Sequence, residues 1–309
     1  SQIDMKQVKE LRDRTQAGIN DCRSALVETS GDMEKAVEVI LKKGLAKSAK
    51  RAGAIATEGV VAAAVAADGK MGVLVEVNIQ TDFAARNADF LKFADGVVAA
   101  ALKAKTGADL GAETFPGGSD TIEATRQALV GKLGENITVR RWDRVSLDGP
   151  GKVHSYVHLG GKVGVVLGVR AGTDAAAKSP AFEKFADDTS MQVAAMGPIF
   201  VSASEIPDDM KKKQTAIYEA QLVEEGKPEK ARPKIIEGKL AKWAKEVCLL
   251  EQASVLEADH SVEQIRAALA KELGADIALV RFVRFQLGEG VEKPTGEDFA
   301  AEVAKMAGA

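Results

Sequence analysis

Cysteine is nearly absent: Cys22 and Cys248 are the two thiols in 309 residues. They stand far apart, which excludes a cysteine metal knuckle and a disulfide-stapled scaffold and argues for a reducing compartment. The three histidines, His154, His158 and His260, have no Cys or Glu at metal-ligand spacing. No apolar run approaches the ~20 residues of a membrane span. The first residues, Ser1-Gln2-Ile3-Asp4-Met5, carry no signal-peptide pattern. The expectation is a cytoplasmic protein without membrane contact. An excess of positive charge is missing too: the net charge is −3, which argues against a general nucleic-acid binder. No phosphate loop, dinucleotide fingerprint or Gly-x-Ser-x-Gly elbow occurs. No catalytic residue, metal site or cofactor is therefore expected. Aromatic residues make up 5% of the chain, so each one carries information.

What the chain does contain is an internal copy. Gly69-Lys70-Met71-Gly72-Val73 returns as Gly161-Lys162-Val163-Gly164-Val165, an offset of 92 residues. Thr81-Asp82, Phe90, Phe93 and Ala94-Asp95 return at the same offset as Thr173-Asp174, Phe182, Phe185 and Ala186-Asp187. Further on the offset becomes 140: Arg126, Leu129 and Leu133-Gly134 match Arg266, Leu269 and Leu273-Gly274. The second copy thus holds an insertion of 48 residues, the difference between the two offsets. Phe83 breaks the copy, because Ala175 stands in its place. A duplicated scaffold is its own control: what both copies keep is architecture, and a bulky apolar residue kept by one is a candidate for function.

Each copy reads as a β-hairpin, a helix, a second helix and a strand. Val73, Val75, Val77 and Ile79 alternate as a half-buried strand does. Ser261-x-x-Gln264 is a capping box at the start of the second copy's later helix. Before the copies, residues 1–45 read as a three-helix module. Val8 and Leu11 mark its first helix, and Cys22, Ala25 and Leu26 its second. Asp32 is the expected N-cap of the third, whose buried face is Met33, Ala36, Val37, Ile40 and Leu41, with Gly44 at its C-terminal end. Residues 46–58 read as a linker, 59–148 as core repeat one and 149–287 as core repeat two. The inserted segment forms an antiparallel helical hairpin at about 205–248, broken by Gly226-Lys227-Pro228. Residues 288–309 read as a C-terminal module, with Phe299, Val303 and Met306 on a short helix. Helices segregated onto small antiparallel sheets make the fold class α+β.

Several segments resemble the elongation factor Ts family. They are Val8-Lys9-Glu10-Leu11-Arg12-Asp13-Arg14-Thr15 with Ala17-Gly18 and Asp21-Cys22, then Glu76-Val77-Asn78-Ile79-Gln80-Thr81-Asp82-Phe83-Ala84. Gly134-Glu135-Asn136-Ile137, Glu225-Gly226-Lys227-Pro228 and Phe285-Gln286-Leu287-Gly288-Glu289-Gly290 follow in the family's order. The resemblance implies a guanine nucleotide exchange factor that binds elongation factor Tu carrying GDP, disturbs its magnesium and phosphate site and promotes GDP release. It implies an N-terminal domain like ubiquitin-associated domains, a duplicated core, a protruding hairpin and a C-terminal module. It also implies that Thr81, Asp82, Phe83 and Ala84 enter the partner near its magnesium, where the family usually has Val at the place of Ala84. Further partner contacts implied by the family are Arg12, Ile19, Asn20, Leu133, Gly134 and His158.

The residues themselves leave alternatives open. Phe83 is either an exposed wedge or core packing, and Asp82 either a partner contact or a helix cap. Leu133 and Gly134 recur in the second copy, which also fits a plain helix end. His158 replaces Ala66 of the first copy and also fits a solvated turn. The alternative function is a non-catalytic adaptor, or an interaction protein that forms a homodimer through the helical hairpin. An adaptor gives no reason to expose an aromatic in one copy only.

Overall fold

The computed structural model describes residues 3–15 and 17–291. The expected helix carrying Phe299, Val303 and Met306 lies outside them. The fold is α+β, with mixed helices and two three-stranded antiparallel sheets.

The chain opens with α1 (Met5–Thr15), α2 (Ile19–Glu28) and α3 (Met33–Arg51). Val8, Leu11, Cys22, Ala25, Leu26, Ala36 and Ile40 bury together as their own small core. The Asp32 side chain accepts a hydrogen bond from Lys35 N and caps α3. The end of α3 differs from the expectation. Gly44 is not its C-terminal cap, and the helix continues through half of the expected linker to Arg51. The reason lies in a distant element, α6 (Ile122–Leu133). A Cβ built on Gly131 would stand 2.9 Å from Gly44 Cα, so the two helices cross backbone to backbone at a pair of glycines. The crossing needs the glycine on α6, since a Cβ on Gly131 meets the α3 backbone, whereas a Cβ on Gly44 would meet nothing within 4 Å. We expect Gly131→Val to force α3 off α6 and cost about 1–3 kcal/mol, as overpacking does, read as a lower denaturant midpoint. An unchanged midpoint would mean that the crossing does not dock the three helices.

The core follows as β1 (Glu58–Val65), β2 (Met71–Ile79), α4 (Asp82–Ala85), α5 (Ala88–Lys103), α6 and β3 (Ile137–Ser146), with sheet order β1-β2-β3. The second copy is β4 (Gly151–His158), β5 (Val163–Ala171), α7 (Asp174–Ala177), α8 (Pro180–Met196), α11 (Val262–Leu273) and β6 (Ile277–Gln286), with order β4-β5-β6. Between α8 and α11, α9 (Asp208–Glu224) and α10 (Arg232–Val247) pack against each other. Arg232 reaches Glu219 at 2.9 Å across that pair.

Each sheet packs its helices on one face. Val73, Val75, Val77 and Ile79 meet Phe90, Phe93, Val97 and Ile122 in the first copy. Val165, Leu167 and Val169 meet Phe182, Phe185 and Val193 in the second. The other faces of the two sheets meet each other through Val61, Leu74, Val145, Val153, Val166, Val283 and Phe285. This contact swaps the copies: Val61 N donates to Gly161 O at 2.8 Å, and its equivalent Val153 N donates to Gly69 O at 2.7 Å. A Cβ on Gly72 would strike Val153 and Val166, and one on Gly164 would strike the equivalent Val61 and Leu74. The duplication therefore folds as two like halves around an approximate two-fold axis. Glycine at Gly72 and Gly164 lets the sheets approach.

Candidate partner-binding site

The end of β2 leads directly into the copy-specific residue. After Ile79 the chain turns at Gln80-Thr81, and the Thr81 hydroxyl accepts from Ala84 N at 3.2 Å to cap α4. Thr173 caps α7 in the same way, through Ala176 N at 3.2 Å. The N-cap is thus Thr81, while Asp82 occupies the first helical position. There its carboxylate favours the helix N-terminus and meets Arg86 at 3.2 Å. This removes the cap reading of Asp82 and leaves the carboxylate exposed.

Phe83 projects into solvent with 86% of its surface exposed. That removes the core-packing reading, because core packing would bury it. Ala84, by contrast, is buried against the first-copy core, as its counterpart Ala176 is against the second. Ala84 is therefore a foot of the short helix, and Phe83 is its free face. A fully exposed Phe on a chain with so few aromatics is an apolar surface without a partner in the monomer.

The structure brings two more of the expected residues to this end. Leu133 is half-buried against the first core, and Gly134 closes α6 in the left-handed conformation at φ 76°. Gly274 closes α11 likewise at φ 60°, so both copies use this glycine to end a helix. The loop it begins touches the Thr81 segment: Glu135 accepts from Thr81 N at 3.0 Å and from Thr81 Oγ1 at 2.8 Å. Asn136 N donates to Gln80 Oε1 at 2.7 Å. Sequence reasoning passed over Glu135 as part of a helix-ending turn. The signal was present, since its second-copy counterpart is Ala275.

His158 lies at the tip of the β4–β5 hairpin, exposed, and shares a 2.8 Å hydrogen bond with the Tyr156 hydroxyl. Beside it Leu159 is 73% exposed and adopts φ 48°, an uncommon conformation for a branched residue. The tip reaches the start of β1, where Lys162 pairs with Glu58 at 2.9 Å and Glu58 stands opposite Ile79. It therefore flanks the same end of the first sheet from which Phe83 emerges. Arg12, Ile19 and Asn20 are exposed on α1 and α2 and are carried by the three-helix unit. A cleft of about 310 Å3 between that unit and α6 is lined by Gly18, Leu41, Leu45, Gln127 and Gly131.

Both cysteines are free and buried. Burial pushes the Cys248 thiol up to about 11 and raises that of Cys22, so neither is a ready nucleophile. Among the described residues no group of three or more His, Cys, Asp or Glu side chains is arranged to hold a metal ion. No described helix is long and apolar enough to cross a membrane.

A family model described as elongation factor TS matches residues 80–289, which begins at the Thr81 turn, after β1 and β2, and takes in β3, the whole second sheet and the inserted helices. The chain belongs to the elongation factor Ts family. Among its relatives, the elongation factor Ts of Clostridium botulinum (strain Alaska E43 / Type E3) is 46% identical over 308 residues, 99% of each chain. That of Clostridium perfringens (strain SM101 / Type A) is 45% identical over 308 residues, again 99% of each. That of Clostridium kluyveri (strain NBRC 12016) is 41% identical over 307 residues, 98% of each. The family is one of translation elongation factors, in agreement with the ordered segments read from the sequence.

Proposed function

We propose that this chain is a guanine nucleotide exchange factor for elongation factor Tu and that it works by protein contact alone. The observation that carries this reading is Phe83, 86% exposed on one copy of a duplicated scaffold whose other copy has Ala175. An exchange factor must bind the nucleotide-free state of its partner more tightly than the loaded state, and nucleotide then weakens the factor by the same ratio. A rigid apolar wedge achieves this difference if its pocket opens only when the nucleotide site is distorted. Magnesium demands near-ideal octahedral geometry, so a small displacement of its surroundings weakens its hold and that on the phosphates. Phe83 is the wedge, with Thr81 and Ala84 as its mount and Asp82 as a neighbouring negative charge. Leu133, Gly134 and His158 flank it as further contacts.

Arg12, Ile19 and Asn20 serve in this reading as a second docking surface on a module resembling ubiquitin-associated domains. Two separated surfaces on one rigid body raise the effective concentration of each at the partner. The test is release of a fluorescent GDP analogue from elongation factor Tu. Micromolar amounts of this protein should speed release by orders of magnitude. Unaltered release would sink the exchange reading and favour an adaptor.

A further inference from the structure

Helix α4 spans Asp82–Ala85. A segment this short has no helical stability of its own, since nucleation is unfavourable and isolated helices need about 12–15 residues. Phe83 lies within it, so its direction depends on whatever fixes the two ends. The Thr81 cap supplies one tie, but the second copy has the same cap at Thr173 and no aromatic to aim. Glu135 is one difference between the copies at this joint, and Gln80, matched by Gly172, is another. The two carboxylate oxygens of Glu135 take the backbone and side-chain donors of Thr81 together, at 3.0 and 2.8 Å. Its counterpart Ala275 has no side chain with which to do so. The carboxylate and the aromatic are present in the same copy and absent from the same copy.

We propose that Glu135 is a positioning residue for exchange, a clamp that fixes Thr81 and through it the direction of Phe83; this rests on the exchange reading above. An apolar wedge transmits force only if its mount does not yield. The Glu135 clamp joins the α4 turn to the loop after α6, and Asn136 N on Gln80 Oε1 doubles the joint at 2.7 Å. The half-buried carboxylate makes charge-assisted bonds, the stronger class. The clamp also gives the loop after Gly134 a role that requires no direct touch on the partner. In this arrangement Glu135 contributes by pre-organisation, so that ordering of the wedge is not deferred to the moment of binding.

The test is a two-residue cycle in the GDP-release assay, with wild type, Glu135→Ala, Phe83→Ala and the double variant. Glu135→Ala should lower the maximal release rate about tenfold, the scale of losing one hydrogen bond to a charged group. The half-saturating concentration should change less. Glu135→Gln, which keeps one acceptor oxygen, should recover part of the rate. In the Phe83→Ala background, Glu135→Ala should have no further effect. Amide hydrogen exchange in the free protein should quicken at residues 81–86 in Glu135→Ala, with its unfolding midpoint near that of wild type.

An undiminished loss in the Phe83→Ala background would overturn the clamp and make Glu135 an independent contact. A Glu135→Ala variant as active as wild type would overturn it outright. Failure of wild type to release GDP is a different result, which removes the exchange reading and with it any role of Glu135 in exchange.

Discussion

Phe83→Ala is expected to lower the acceleration of GDP release about 10- to 100-fold while leaving the fold intact. The magnitude follows from burying one Phe side chain, about 1.5–3 kcal/mol, in a partner pocket. The fold should survive because Phe83 touches so little of its own protein: 86% of its surface is exposed, and Ala175 occupies the same scaffold position in the second copy. An unfolding midpoint within error of wild type is part of the prediction. The duplication supplies a matched control. Ala175→Phe places an aromatic on α7 beside an equivalent Thr173 cap, and it should neither add to exchange in the wild type nor rescue Phe83→Ala. A Phe83→Ala variant with wild-type exchange would transfer the work to the loop after α6 or to the hairpin tip at His158.

Glu76→Gln is expected to be the most destabilising single change of charge in the core. Glu76 is fully buried on the sheet-to-sheet side of β2, where its second-copy counterpart is Gly168. Its oxygens take Arg140 at 3.0 Å, Arg141 at 2.6 Å and Gly288 N at 2.8 Å. Burial alone raises its pKa. The hydrogen bonds from Gly288 N, Asn78, Arg141 and Arg140 outweigh burial and hold the carboxyl below the usual glutamate range. Removing the charge leaves Arg140 without its counter-ion and Arg141 with the more distant Glu289, at 3.4 Å. Both arginines keep partial access to water, so the cost is at the lower end for a broken buried pair, about 3 kcal/mol. The sign with pH follows from the depressed value. The contribution is complete above the unfolded carboxyl's pKa of about 4.3 and is lost as the pH falls through the lower folded value. Denaturant midpoints should therefore fall more steeply with acid in wild type than in Glu76→Gln. Parallel curves would mean that the charge on Glu76 does not stabilise the fold.

The hairpin, helix and strand order of each copy was legible because it rests on local chemistry. Strand alternation, the Thr and Ser caps and left-handed glycines at helix ends all act within a few residues. The copy comparison goes further and singles out Phe83, because the same scaffold position carries Ala175 in the other half. Gly44 shows where this reasoning stops. A glycine after a periodic run fits a helix end, but here it lies inside the helix, where Gly131 of a remote element crosses over it. Nothing local distinguishes these two uses.

Glu76 was hidden for a related reason. Alternation in β2 assigned one buried face, whereas the packing of sheet on sheet buries the other as well, including Leu74 and Glu76 itself. Glu135 was different. Its counterpart is Ala275, so the copy comparison marks Glu135 too once polar positions are weighed as apolar ones are.

Differential binding is the heart of the exchange reading, and equilibrium affinity measures it without reference to rates. Binding of this protein to nucleotide-free elongation factor Tu and to the GDP-loaded form should be compared by titration, for wild type and for Phe83→Ala. Tighter binding to the nucleotide-free form, by a ratio that shrinks in Phe83→Ala, is the predicted result. Equal affinities of wild type for the two forms would contradict it, because a factor without that preference cannot displace a nucleotide however tightly it binds.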